Sequence, residues 1–303
     1  MSTSTTPSVP AIEPGRGRRL AGWLHARPRT QLRLLLLAPL AWMVLVYFGS
    51  LFVLLLSAFW ETDSFTGQVL PFQWSLDAFE SIATNPVYRA IAIRTLVVAI
   101  AVTLTDALLA IPIAYYMARV ASRRTRRILV IAVLMPLWAA YLVKVYAWRT
   151  ILQENGFLEW ILTPLGINAP GLGQILNAWL VLSYLWLPYM VLPVYAGFER
   201  IPGSLLEASA DLGGRGWTTF RRIILPLVLP ALVAGSIFTF SLTLGDYITP
   251  QLVSNTQFIG NVVYANVGVA NNLPLAAAFA TVPVAIMIVY LLIARRLGAF
   301  ESL

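Results

Sequence analysis

The chain has no cysteine, which removes disulfides, thiolate catalysis and cysteine metal sites together and leaves the redox compartment open. Its one histidine, His25, lies in a basic N-terminal stretch and reads as a surface side chain; a histidine-based metal site is excluded by the count. Lysine occurs once, as Lys144 in YLVKVYAW, and no GxxxxGK[ST] phosphate loop is present, so nucleotide binding through that motif is excluded. Charge of either sign is scarce. Only 11% of the residues are charged, against roughly 25% in soluble domains. What fills the space is apolar: 59% of the 303 residues are hydrophobic, and the mean hydropathy is +0.76. Lipid is therefore the expected solvent for most of the chain.

A bilayer core asks for about 20 consecutive apolar residues per helix. Six segments qualify, over 32–58, 92–118, 128–148, 175–197, 224–246 and 274–294, which predicts an all-α membrane bundle. Several carry proline (Pro112, Pro136, Pro188, Pro193, Pro230 and Pro283), tolerated in membrane helices where neighbours satisfy the freed carbonyls. Residues 1–31 are polar and Arg-rich and read as a disordered tail, with 32–303 as the membrane domain. The tail is not a secretory signal, because the apolar run begins late and no small-residue cleavage site follows it.

The net charge of +8 is a topology signal rather than a nucleic-acid footprint. Arg16, Arg18, Arg19, Arg27, Arg29 and Arg33 precede the first span, and Arg119, Arg123, Arg124, Arg126 and Arg127 follow the second. Arg200, Arg215, Arg221 and Arg222 follow the fourth, and Arg295 and Arg296 follow the sixth. Of the 21 basic residues only Arg89, Arg94, Lys144 and Arg149 fall elsewhere. The alternate loops hold Glu61, Asp63, Asp77, Glu80, Glu154 and Glu159. Both termini are expected on the cytoplasmic side. No loop interleaves aromatics with arginine in a nucleic-acid-binding pattern.

Residues 201–226, IPGSLLEASADLGGRGWTTFRRIILP, are too polar to span and too patterned to be disordered. Ser204 and Glu207 have capping-box spacing, Leu205, Ala208 and Leu212 make an apolar stripe, and Gly213, Gly214 and Gly216 end the helix. A second short helix over about 217–225 should lead into the fifth span. The bland reading is an amphipathic connector on the membrane surface. The spacing also resembles the EAA loop of binding-protein-dependent ABC importer permeases, with Glu207, Ala208, Ser209, Gly213, Ile223, Leu225 and Pro226 in the motif's places and Ser209 standing for its second alanine. Residues 135–159 (MPLWAAYLVKVYAWRTILQENGFLE) and 244–263 (LGDYITPQLVSNTQFIGNVV) are similar to the spermidine/putrescine permease branch of that family.

The resemblance implies a multi-pass permease of the type I (MetI-like) importer fold in a bacterial inner membrane, and a transport subunit rather than an enzyme. Two ATPase subunits would dock on the 201–226 loop, a second, homologous permease would complete the path, and an extracytoplasmic binding protein would deliver the solute. ATP and Mg would belong to the ATPase; this chain would carry no cofactor. A polyamine or another small organic cation is the implied cargo, with another small nitrogenous solute as the alternative. An ion-coupled secondary transporter acting alone would call for internal repeats, which the halves do not show. A membrane enzyme would lack paired intramembrane carboxylates.

Ionisable groups in a bilayer cost roughly 2.5–3.5 kcal/mol each on insertion scales. Arg94 and Lys144 lie near span ends and can snorkel. Asp106, mid-span, is expected to bond to another helix, with a substrate role as the alternative. Asp246, beside Tyr247 and before Pro250, could face an ammonium group, or simply accept from nearby backbone N–H groups at a helix end. Tyr141, Trp148 and Trp186, with Tyr146, Tyr184 and Tyr189, could line the path; as an interfacial belt or packing they need no function.

Overall fold

The computed structural model describes residues 28–63, 68–153, 156–162, 164 and 173–296. The expected tail lies outside them apart from its last residues, as do His25 and Glu154; the first helix already begins at Pro28. The chain divides into two compact units, 1–54 and 55–303. α1 runs from Pro28 through a π-helical stretch, Met43–Phe48, and on through Gly49–Ser57, most of it in the first unit. Trp42, Leu45, Tyr47 and Phe52 all stand exposed on it, as suits a helix surrounded by lipid or by other chains.

The second unit is the bundle. Among the described residues, five helices of the whole chain are long and apolar enough to span: Leu35–Ser57 of α1, α3 (Pro86–Val120), α7 (Gln174–Glu199), α9 (Gly216–Gly245) and α12 (Leu273–Arg296). The third expected span, 128–148, is not one continuous helix. α4 (Arg123–Trp138) and α5 (Tyr141–Leu152) meet at 93°. Ala139 and Ala140 leave helical conformation between them (ψ 138° and 135°), and Pro136 has already removed a backbone donor from the last turn of α4. Shorter helices complete the unit: α2 (Asp77–Thr84), α6 (Phe157–Leu162), α8 (Gly203–Asp211), α10 (Ile248–Val253) and α11 (Ile259–Gly268). The all-helical expectation also misses two short antiparallel strands, β1 (Trp60–Thr62) and β2 (Val69–Trp74), with Glu61 opposite Leu70 and Thr62 opposite Val69.

The core is built where α3, α7 and α9 pack. A large apolar set is fully buried there, including Ala110, Met117, Met190, Val194, Phe198 and Val228. Small residues set how closely the helices approach, because lipid gives apolar side chains little reason to prefer one another. A Cβ at Gly197 would lie 2.6 Å from that of Ala231, and one at Gly235 would lie 2.9 Å from Met190 Sδ. α7 and α9 therefore cross almost backbone to backbone. Three buried threonine hydroxyls are satisfied within their own helices: Thr95 donates to Ile91 O, Thr103 to Ala99 O and Thr243 to Thr239 O. Across helices, Tyr290 stacks on Phe240 at 4.4 Å and donates to Ser236 Oγ at 2.6 Å.

Candidate functional site

Two regions carry the candidate residues. The first is residues 201–226, at the bundle end that also bears Arg119, Arg123–Arg127 and Arg295–Arg296. The loop begins where α7 stops, and that stop is clamped. Arg119 donates to the terminal carbonyls of Phe198 (2.8 Å) and Ile201, and Arg126 donates to Met117 O and Ala118 O, both 2.9 Å. The same Arg126 pairs with Glu199 at 3.4 Å, and Tyr195 donates to that carboxylate. Guanidinium groups suit the electron-rich end of a helix. These arginines, read from sequence as topology markers alone, therefore also anchor the loop to the bundle.

α8 does not form the predicted capping box. It starts at Gly203 with Pro202 at its cap, whose fixed φ of −65° and lack of an N–H suit a helix start, and no side chain caps it. Ser204 and Glu207 remain exposed. The glycine turn forms as predicted: Gly213 has φ +73°, and Gly213 N and Gly214 N donate to Ala210 O and Ser209 O. At Gly214 a Cβ would lie 2.5 Å from Ser209 Oγ and 2.7 Å from Ser209 O, so only glycine fits. Ser209 is buried, and its hydroxyl bonds Thr219 Oγ1 at 2.8 Å across the turn. The expected second helix is no separate piece: Gly216 to Gly245 is continuous, through a wide π turn at Phe220–Ile224 just ahead of Pro226, which lacks the donor an α-helical ladder would use.

The apolar stripe faces outward. Leu205 is 41% exposed, Leu212 88% and Trp217 72%, beside exposed Glu207 and Ala208, whereas Leu206 and Ile224 turn into the core. Trp217, stacked on Phe220 at 5.7 Å, was not singled out from sequence. Of the motif positions, Ser209 and Gly213 shape the turn, Ile223, Leu225 and Pro226 carry it into α9, and Glu207 and Ala208 are presented on its surface.

The second region lies at the opposite end of α9 and around the break between α4 and α5. Tyr141, the first residue of α5, stacks on Trp186 of α7 (6.1 Å, 16°), and Trp186 meets Tyr189 at 5.9 Å. Trp148 packs on Tyr184 at 5.3 Å. The Trp186 indole N–H is buried and finds no hydrogen-bond partner among the described residues.

Asp246 follows α9 and is 8% exposed. Its Oδ1 accepts from the N–H groups of Ile248 (2.9 Å) and Thr249 (3.1 Å), which starts α10. Its Oδ2 accepts from Tyr141 Oη (2.6 Å) and Thr249 Oγ1 (2.8 Å). All of its hydrogen bonding is thus met inside the chain, and a substrate cation would have to displace one of these partners. Tyr247 stacks on Tyr264 at 4.9 Å. Gly260 and Asn261 close the same corner: a Cβ at Gly260 would lie 3.1 Å from Gly245 O, and Asn261 Nδ2 donates to Tyr247 O at 2.7 Å. The LGDYITP and IGN stretches, separate in sequence, are one locked turn.

Asp106 makes no bond to another helix, contrary to expectation. It is fully buried in α3, and neither carboxyl oxygen has a hydrogen-bond partner among the described residues. The α7 donor at this level, Trp179 Nε1, is taken by the adjacent Thr105 Oγ1 at 3.1 Å. Arg94 donates to Gln257 O at 3.3 Å. No cluster of three metal-ligating side chains occurs among the described residues.

A bundle of long apolar helices whose one end presents a clamped helix–turn–helix with an uncovered apolar face is the architecture of a multi-pass membrane protein. The chain belongs to the family of binding-protein-dependent transport system inner membrane components, whose model matches residues 108–300. It is 46% identical to the inner membrane ABC transporter permease protein YdcU of Escherichia coli K12, with 100% of this chain and 99% of that protein covered. It is 30% identical to the spermidine/putrescine transport system permease protein PotB of Haemophilus influenzae, over 64% of this chain and 69% of that one. A bacterial alginate ABC transporter, solved in complex with an alginate pentasaccharide-bound periplasmic protein, shares the fold at a TM-score of 0.71 and 16% identity, covering 91% of this chain and 96% of that chain. The protein is an inner-membrane permease of an ABC importer.

Proposed function

We propose that this permease forms half of the path for a small organic cation of the polyamine class, moved by alternating access that separate ATPase subunits drive. The observation that carries the coupling is the exposed face of Leu205, Glu207, Ala208, Leu212 and Trp217 on a turn whose other face is fixed by Ser209, Gly214 and the Arg119 clamp. An exposed apolar surface with a carboxylate in it, rigidly tied to the bundle, suits the groove of a protein partner and transmits its movement. In this reading two ATPase subunits hold ATP and Mg and dock there, a second, homologous permease completes the path, and an extracytoplasmic binding protein delivers the solute at the other end. Both termini are then cytoplasmic.

The polyamine class rests on the similarity to the spermidine/putrescine permeases and on the ring faces of Tyr141, Trp148 and Trp186, which attract ammonium groups. The test is ATPase activity of the complex, reconstituted with the products of neighbouring genes and loaded binding protein, across a panel of solutes. Stimulation by spermidine or putrescine alone is expected. Stimulation by a different solute keeps the importer and discards the polyamine. Glu207→Ala should reduce solute-stimulated ATPase about tenfold or more, or release the ATPase on purification, with membrane insertion intact; wild-type uptake in this variant would remove Glu207 from the coupling contact.

A further inference from the structure

The two breaks in the bundle are tied to each other. α5 begins at Tyr141, immediately after the 93° bend, and α10 begins just after Asp246, where α9 ends. The Tyr141 hydroxyl sits 2.6 Å from Asp246 Oδ2 and 2.7 Å from Thr249 Oγ1, and Thr249 Oγ1 lies 2.8 Å from the same carboxyl oxygen. Three oxygens thus form a closed triangle across two elements that are 105 residues apart in sequence. The other oxygen of Asp246 is committed to the N–H groups that start α10. Neither Ala139 nor Ala140 offers a conformational reason to stop a helix. Pro136 weakens the last turn of α4, and the bonds of Tyr141 hold the helix that follows the bend in place.

We infer that Asp246 is a positioning residue and not a substrate ligand: with Tyr141 and Thr249 it makes a latch that holds the α5 half-helix against the turn after α9, and the latch opens as the path changes access. The inference rests on the reading of Tyr141 and Trp186 as path-lining rings. The ring that stacks on Trp186 is the same ring whose hydroxyl is held by Asp246, so opening the latch frees one wall of the path. A hydrogen bond to a carboxylate in a water-poor site is strong enough to bias two states and weak enough to break in each cycle. The α10 side is fixed by Asn261 and by close packing at Gly260, so movement falls to the α5 side.

Two substitutions separate the latch from the helix start. Tyr141→Phe keeps the ring and its stack but removes the hydroxyl. Asp246→Asn keeps an oxygen for the Ile248 and Thr249 amides but replaces the charged acceptor facing Tyr141 with an amide N–H, which can only donate and makes a weaker, uncharged bond. Amide hydrogen exchange of peptides covering 141–152 is followed in the full-length chain in lipid nanodiscs, which needs no ATPase and so survives failure of the importer reading. Both variants should exchange about tenfold faster there than wild type, and the double variant no faster than either one. In the assembled complex both should raise ATPase activity measured without solute, and shift the KM for uptake more than kcat. Wild-type exchange in Tyr141→Phe overturns the latch. Faster exchange with unchanged solute-free ATPase overturns it as a transport device and leaves a purely structural contact. Additive effects in the double variant show that the two residues act apart, which also overturns it.

Discussion

Gly214 and Ser209 show how single atoms fix the glycine turn after α8. Gly214→Ala would place a methyl group 2.5 Å from Ser209 Oγ and against the Ser209 carbonyl, and backbone cannot give way as a flexible side-chain tip can. The expected cost is about 1–3 kcal/mol of local stability, read as faster proteolysis within 203–219 and, where the proposed docking holds, weaker retention of an ATPase subunit. Ser209→Ala removes only the bond to Thr219, a loss of roughly 1 kcal/mol, and should leave assembly intact. Asp106 is a different case. Its carboxyl is buried with both oxygens unpartnered, so Asp106→Asn removes an ionisable group from apolar surroundings while preserving shape. Thermal stability in detergent should stay equal or rise, with uptake retained; a loss of uptake with unchanged stability would assign Asp106 a place in transport. At this scale the sequence was informative about residue type and poor on partner. Asp246 was legible as important, since a carboxylate at a helix break must bond to something. Its bonding to Tyr141 was not, because the two are brought together only by the bend in the third span.

At the level of elements, the crossing of α7 and α9 depends on what is missing from Gly197 and Gly235. Gly197→Val would push against Ala231 from 2.6 Å and force apart two helices that carry most of the core. The yield of monodisperse protein on size exclusion should fall several-fold, with the half-buried Pro230 face of α9 becoming reachable; normal yield and stability would mean the crossing adapts easily. Five spans were readable from hydropathy because 20 or so apolar residues have few alternatives in a bilayer. The third, with Pro136 inside it, reads as one kinked span rather than two helices, because its break falls in MPLWAAYL, where Ala139 and Ala140 favour helix and no glycine marks a turn. Tertiary bonding overrode local preference there. The Ser204–Glu207 capping box failed for the opposite reason: Pro202 supplies a preset start two residues earlier, so the serine is not needed as a cap. The apolar stripe of α8 was seen correctly as a stripe, but periodicity says which residues share a face and not whether that face is covered.

For the whole molecule, the distribution of charge makes the orientation testable. Arg119, Arg123, Arg124, Arg126, Arg127, Arg200, Arg215, Arg221, Arg222, Arg295 and Arg296 gather at one end of the bundle, and Asp77 and Glu80 of α2 belong to a loop of the other. Part of that arginine excess serves the fold locally, since Arg119 and Arg126 hold helix-end carbonyls, but Arg123, Arg124 and Arg127 stand on a helix start, where the helix dipole offers cations nothing. Retention on the cytoplasmic side during insertion explains them better. The natural absence of cysteine makes the check clean. Ser122→Cys and Ser204→Cys, both exposed at the arginine end, should react with an impermeant maleimide only in opened cells, whereas Ala83→Cys on α2 should react in intact spheroplasts. Ser209 would be a poor probe because it is buried beneath the turn. The reverse labelling pattern would invert the molecule and put α8, with its exposed Leu212 and Trp217, on the side where no ATPase could reach it.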